Sequence, residues 1–163
     1  MMKHTLEFIQ AGADVKRFHT KLTLQSETVG HHSHGVAMMC LLLEPLSRKQ
    51  VLAAALVHDL AEHITGDIPS PAKRQYGIGE QVNALEEDLL RAVGLSMPML
   101  NSDEKRVLKL ADIFQGMLFS AREISLGNSQ MREVFNNYVG YAESMEPVDR
   151  ELELLNIIKG QVK

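Results

Sequence analysis

The apolar run Val51-Leu-Ala-Ala-Ala-Leu-Val57 leads directly into His58-Asp-Leu-Ala-Glu62-His-Ile-Thr-Gly-Asp67, and this junction constrains the fold more than any other stretch. The run has no polar face, which predicts a helix buried on all sides. An imidazole and a carboxylate at the end of such a helix lose their hydration, and an unpaired buried ion costs at least several kcal/mol. A bound cation removes that cost. On a continuing helix, His58 and Glu62 stand at i and i+4 on one face and Asp59 about 100° round from His58, so one cleft receives all three. The stretch therefore reads as half of a metal site.

The rest of the chain reads as helices. Residues 4 to 11 form a first helix that Gly12 ends, and residues 14 to 28 are polar and irregular. A second helix runs from about Val29 to just before Pro45. Ser47-Arg-Lys-Gln50 has the pattern of a capping box, with Ser47 as the N-cap of the central buried helix. Gly66, Pro69 and Pro71 make residues 65 to 71 a loop beside the site. An amphipathic helix follows over Glu80–Ala92, with Gly94 as its C-cap. Asn101 or Ser102 caps a long helix through Leu126, and two more helices follow Asn128 and Pro147. Nothing alternates with the period of two that strands need, and there is no internal repeat. Residues 1–163 are expected to form one domain, an all-α, compact helical bundle.

Composition excludes several function classes. No segment approaches the roughly 18 uninterrupted apolar residues of a membrane span, and the N-terminus lacks the pattern of a secretory signal. The expectation is a cytoplasmic protein, in the host cytoplasm if the chain is viral. Cys40 is the single cysteine and sits in an apolar run, so it reads as a buried core thiol. A net charge of -4 gives no general field for a nucleic-acid polymer.

Six of the seven histidines fall between His19 and His63. His58-Asp59 and Asp112 interrupt otherwise apolar helical patterns, and His32 begins one. A His-His-Asp-Asp set suits Mn, Fe, Co, Ni, Zn or Mg, of which Zn or Co is expected first and Mn or Mg next, and it leaves positions open for water. A zincin reading fails, because no His-Glu-x-x-His helix is present.

His32, then His58-Asp59 with Glu62 three residues on, then Asp112 resembles the H…HD…D signature of the HD-domain metal-dependent phosphohydrolases. The segments Val29-Gly-His-His32-Ser-His, His58-Asp-Leu-Ala-Glu62, Thr65-Gly-Asp67-Ile-Pro69 and Lys109-Leu-Ala-Asp112 are similar to motifs of the small bacterial 5'-deoxynucleotidases and of the phage dATP triphosphohydrolases. The resemblance implies His32, His58, Asp59 and Asp112 as metal ligands. It implies Glu62 as the residue that orients or deprotonates the attacking water, and Asp67 as the acid for the leaving 5'-oxygen. Arg17 would hold phosphate, Phe18 would stack on the base, and His19, Pro69 and Lys73 would complete the substrate site. This chain has Phe18 where the bacterial enzymes usually have tryptophan, and His31 where they have an acidic residue.

The favoured substrate is a small-molecule deoxynucleotide, dATP, cleaved to deoxyadenosine and triphosphate, because Arg17, Lys21, Lys73 and Arg74 flank the site in sequence. Dephosphorylation of dNMPs by a 5'-deoxynucleotidase is the alternative, and an HD-type phosphodiesterase ranks third. A non-catalytic helical module with a structural metal would leave Glu62 and Asp67 without a role. The family resemblance also implies a homo-oligomer, a dimer or trimer of dimers. Met97, Met99, Met117, Met131 and the last helix supply apolar surface for it.

Overall fold

Helical periodicity organises the chain from end to end. The computed structural model describes residues 2–162. The helices are α1 (Met2–Ala13), α2 (Val29–Leu43), α3 (Lys49–Val57), α4 (Glu62–Thr65), α5 (Ser70–Gln75), α6 (Gly79–Ala92), α7 (Ser102–Ser125), α8 (Met131–Ser144) and α9 (Asp149–Lys159). Among the described residues the extended pairing is one isolated bridge, Lys16 with Thr28, which closes the loop between α1 and α2.

The long helix α7 is the axis of the bundle. Leu110, Phe114, Met117 and Ala121 recur at helical spacing and are buried. They face Val36, Met39 and Cys40 of α2, Val51 and Ala55 of α3, Phe135 and Ala142 of α8, and Leu155 and Ile158 of α9. Each large side chain fully buried here contributes roughly 1.5–3 kcal/mol. Asn101 Oδ1 accepts from the Glu104 amide and Glu104 Oε2 accepts from the Asn101 amide, both at 2.9 Å, so a reciprocal box starts α7. Thr28 caps α2 by accepting from the His31 amide. A second, smaller apolar cluster of Phe8, Leu60, Ala61 and Leu90 joins α1, the turn before α4, and α6.

Several local expectations are corrected. Gly12 lies inside α1 and is buried; a Cβ there would stand 2.3 Å from the Leu60 carbonyl oxygen, so the glycine serves close packing rather than termination. The Ser47 capping box does not form. Arg48 is the N-cap of α3, without a side-chain cap bond, and Ser47 Oγ donates instead to the Cys40 carbonyl at the end of α2. The central helix is not buried on all sides, since Leu56 is 52% exposed. It also stops at Val57. Tight bonds from Leu60 N–H to Val57 and from Glu62 N–H to Asp59 turn the chain before α4, so His58 and Glu62 do not share one continuous helical face. The segment after Thr65 is only partly loop. Gly66 takes a positive φ of 78°, and helix resumes at Ser70 with Pro71 in the first turn, where its missing N–H costs no bond. Met117 and Met131 are fully buried core residues, which removes them from any association surface; Met99 is exposed.

Candidate metal centre and active-site cleft

Three elements bring polar side chains to one point against the α2–α7 core. His32, in the first turn of α2, is fully buried. His58 and Asp59 come from the turn that ends α3, and Asp112 from α7. His32 Nε2 lies 3.5 Å from Asp59 Oδ2 and 3.2 Å from Asp112 Oδ1, and His58 Nε2 lies 3.3 Å from Asp59 Oδ2. One donor atom from each of His32, His58 and Asp59 falls within 4.8 Å of the others.

The hydrogen-bond network fixes both imidazoles. His58 Nδ1 sits 2.8 Å from the Ala55 carbonyl, which can only accept, so this nitrogen carries the proton. His32 Nδ1 meets Gln115 Oε1 at 2.5 Å, and Gln115 Nε2 donates to Glu27 Oε1 at 2.7 Å. Both Nε2 atoms are buried and without a hydrogen-bond partner in the described structure. Two imidazole nitrogens aimed at carboxylates form a donor set that fits a divalent cation, which would take the place of any proton on Nε2, each ring held from behind as metal-ligating histidines usually are.

Charge is arranged to keep those carboxylates ionised. Burial opposes ionisation of Asp59, but His58, Arg17 and His32 outweigh it and hold its carboxyl below the ordinary range. Burial acts the same way on Asp112; Lys109, 2.9 Å away, and His32 overcome it and hold the carboxyl well down. Glu62 is buried and its Oε2 has no hydrogen-bond partner. Burial, then Asp59 and Asp67, push its carboxyl up to about 9. A cation beside it would favour the ionised form and restore a base.

The remaining expected site residues divide. Arg17 Nη1 donates to Asp59 Oδ2 at 2.7 Å, and Arg17 Nε lies 3.4 Å from Glu27, so its fork reaches the metal centre itself. Phe18, at a φ of 55°, donates its amide to Asp67 Oδ2 at 3.0 Å and stacks on Phe119 with ring centroids 4.9 Å apart. The expected base-stacking residue thus already has one aromatic partner. His19 is half-exposed on the outer side of the loop, 3.9 Å from Asp67, and does not line the main cleft. Pro69 precedes α5, and Lys73 lies on it; both line the cleft.

That cleft has a volume of about 1530 Å³, above the roughly 300–1,000 Å³ of common ligand pockets. Arg17, His58, Asp59, Glu62, Asp67 and Asp112 line it together with Lys73, Arg74, Lys105 and Lys109. Arg74 is steadied by the Tyr141 ring, 4.2 Å from its guanidinium carbon. Sequence reasoning missed Glu27, Gln115 and Tyr138, and it named Lys109 only within the motif that ends at Asp112, with no role of its own. A signal existed for Lys109, three residues before Asp112 on a helix. Tyr138 lines the cleft and packs on Gly116, where a Cβ would stand 2.5 Å from the ring, a contact between helices that no local pattern announces.

A family model described as HD domain matches residues 13–116. The chain is 26% identical over 140 residues to a 5'-deoxynucleotidase of Cronobacter sakazakii, covering 71% of this chain and 70% of that one. In structure it resembles an HD-domain phosphohydrolase of Listeria innocua, with a TM-score of 0.75 and 17% identity over 98% of this chain and 86% of that one. It also resembles the cyanophage S-2L HD phosphohydrolase DatZ, solved bound to dA and one catalytic Zn2+ ion, with a TM-score of 0.67 and 17% identity over 99% of this chain and 96% of that one. The structural likenesses establish a common fold. The family match spans the whole stretch from Arg17 to Asp112, and the chain belongs to the HD domain family.

Proposed function

We propose that this chain is a metal-dependent deoxynucleotide phosphohydrolase that converts dATP to deoxyadenosine and triphosphate. The observation that carries the reading is one large cleft with imidazole and carboxylate donors at its base and Lys73, Arg74, Lys105 and Lys109 along its walls. Lys73, Arg74 and Lys105, beside a Lys109 already paired with Asp112, exceed what a single phosphate needs, which favours a triphosphate over the second reading, a dNMP 5'-deoxynucleotidase. The cyanophage protein's bound dA and the relatives named as 5'-deoxynucleotidases support the substrate class.

His32, His58, Asp59 and Asp112 would hold the cation, Zn or Co before Mn or Mg by the mixed donor set. When bound, it supplies a water of lowered pKa and polarises a phosphoryl oxygen. Glu62 would orient the attacking water and take its proton as the bond to the α-phosphorus forms. As the bond from phosphorus to the 5'-oxygen breaks, Asp67 gives the oxygen its proton; the Phe18 amide holds Asp67 in place. Arg17 holds Asp59 and faces the cleft, where it meets the α-phosphate. Phe18 offers the base an aromatic wall shared with Phe119, with Pro69 shaping the opposite loop and His19 at the outer rim.

A panel of dNMPs and dNTPs, assayed for phosphate against triphosphate, tests this. Triphosphate released fastest from dATP is the expected result. Equal rates on all four dNTPs would remove the adenine preference, and hydrolysis confined to monophosphates would establish the second reading.

A further inference from the structure

Behind the proposed metal ligands runs a buried polar circuit, two members of which, Glu27 and Gln115, have no part in the reaction steps. His32 Nδ1 meets Gln115 Oε1 at 2.5 Å, Gln115 Nε2 donates to Glu27 Oε1 at 2.7 Å, and Glu27 Oε2 lies 3.4 Å from Arg17 Nε. Arg17 Nη1 then donates to Asp59 Oδ2 at 2.7 Å, and Asp59 Oδ2 returns to His32 Nε2 at 3.5 Å. The side chain of Glu27 is 5% exposed and that of Arg17 9%. Room for Gln115 is built into α2, since a Cβ on Gly35 would stand 2.8 Å from Gln115 Cγ.

A neutral imidazole carries one proton, and only its bare nitrogen can bind a metal. The Gln115 amide has two orientations with opposite consequences. With its oxygen toward His32, the proton is held on Nδ1 and Nε2 is free. With its nitrogen toward His32, the amide would donate to Nδ1, which moves the proton to Nε2 and destroys the ligand. The carboxylate of Glu27 decides between them, because it attracts the amide N–H and repels the amide oxygen.

We propose that Gln115 and Glu27 are positioning residues for the metal centre: Gln115 fixes His32 with a bare Nε2, and Glu27 fixes the orientation of Gln115 while seating Arg17 on Asp59. The proposal rests on His32 being a metal ligand, and it says nothing about which nucleotide is cut.

The test is metal affinity of the full chain, read by chelator competition with Zn2+ or Co2+. Removing the partner behind a metal-bound histidine costs about 10–100-fold in affinity. Gln115→Met, of similar volume but with no acceptor for the ring, should lose that much while melting, without metal, near the parent temperature. A lowered metal-free melting temperature with unchanged metal affinity would mean a merely structural role and overturn the proposal. Glu27→Gln, nearly the same shape, guards against a Gln115→Met chain that does not fold. In it, metal affinity should fall as well, by about 10-fold, as the Gln115 amide loses its preferred orientation. Parent-like metal affinity in Glu27→Gln would also overturn it. His32→Ala separates the two levels: unaltered metal binding there refutes the ligand assignment, whereas lost binding there beside full affinity in Gln115→Met refutes only the positioning role.

Discussion

Replacing Glu123 with alanine should loosen the loop that carries Arg17 and Phe18, although Glu123 touches neither. This glutamate near the end of α7 is fully buried. Its oxygens accept from the Leu24 amide at 2.7 Å, the Gln25 amide at 2.8 Å and Asn128 Nδ2 at 2.8 Å, while Asn128 also donates to the Leu22 carbonyl at 2.8 Å. Alanine leaves the Leu24 and Gln25 amides without an acceptor, each worth about 1–3 kcal/mol if it stays buried, and removes one of the two acceptors of Asn128 Nδ2. Relief from burying the carboxylate, and water reaching the exposed Leu24, offset part of that, which leaves a net loss of about 2–4 kcal/mol. For a chain of this size the loss lowers Tm by roughly 4–16 °C. Urea unfolding of the two proteins reads the difference at neutral pH. The pH dependence has a definite sign. Burial acts to raise the Glu123 carboxyl, but Asn128 and the two amides overcome it and hold it below the ordinary value. Its stabilisation is thus complete above the unfolded glutamate pKa of about 4.3 and lost as pH falls through the lower folded value. The gap between parent and Glu123→Ala should close in acid. A loss under about 0.5 kcal/mol at pH 7, less than a single typical hydrogen bond, would refute the idea that this carboxylate anchors the loop.

Three other outcomes are expected. His58→Ala or Asp112→Ala should remove metal binding and turnover together, and added Zn2+ should no longer raise the melting temperature; full activity in His58→Ala would sink the metal-site reading. Glu62→Gln and Asp67→Asn should keep the metal and lose about 10²–10⁴-fold in kcat, and loss of metal in either, seen by metal analysis, would make that residue a ligand instead. Gly116→Ala, whose new Cβ would stand 2.5 Å from the Tyr138 ring, should cost about 1–3 kcal/mol in a thermal melt, and unchanged stability would show that Tyr138 moves aside freely.

What could be read in the sequence follows from whether the signal is local. Asn101 and Glu104 stand three residues apart and bond each other, so the start of α7 was legible from its cap. The proposed metal ligands stood out because a charge within an apolar helical pattern is expensive unless it is partnered. Ser47 and Gln50 carry a similar local pattern, but Ser47 Oγ donates instead to the Cys40 carbonyl near the end of α2. Gly12 had the form of a helix stop, and only the approach of Leu60, 48 positions on in the chain, reveals it as a contact. Glu27 and Gln115 were invisible for that reason too. Each reads as an ordinary polar residue until folding joins segments 88 residues apart.

The division of apolar packing into two clusters has a consequence for how the molecule opens. His32 and Asp112 belong to the helices of the large cluster, whereas Leu60 and Ala61, adjoining His58 and Asp59, pack with Phe8 and Leu90 in the small one. The proposed ligands therefore straddle two units of unequal cohesion. In hydrogen exchange, amides of α6 should trade protons through an opening that leaves α7 protected, and a cation tying Asp59 to Asp112 would slow that exchange by stapling the weaker unit to the stronger.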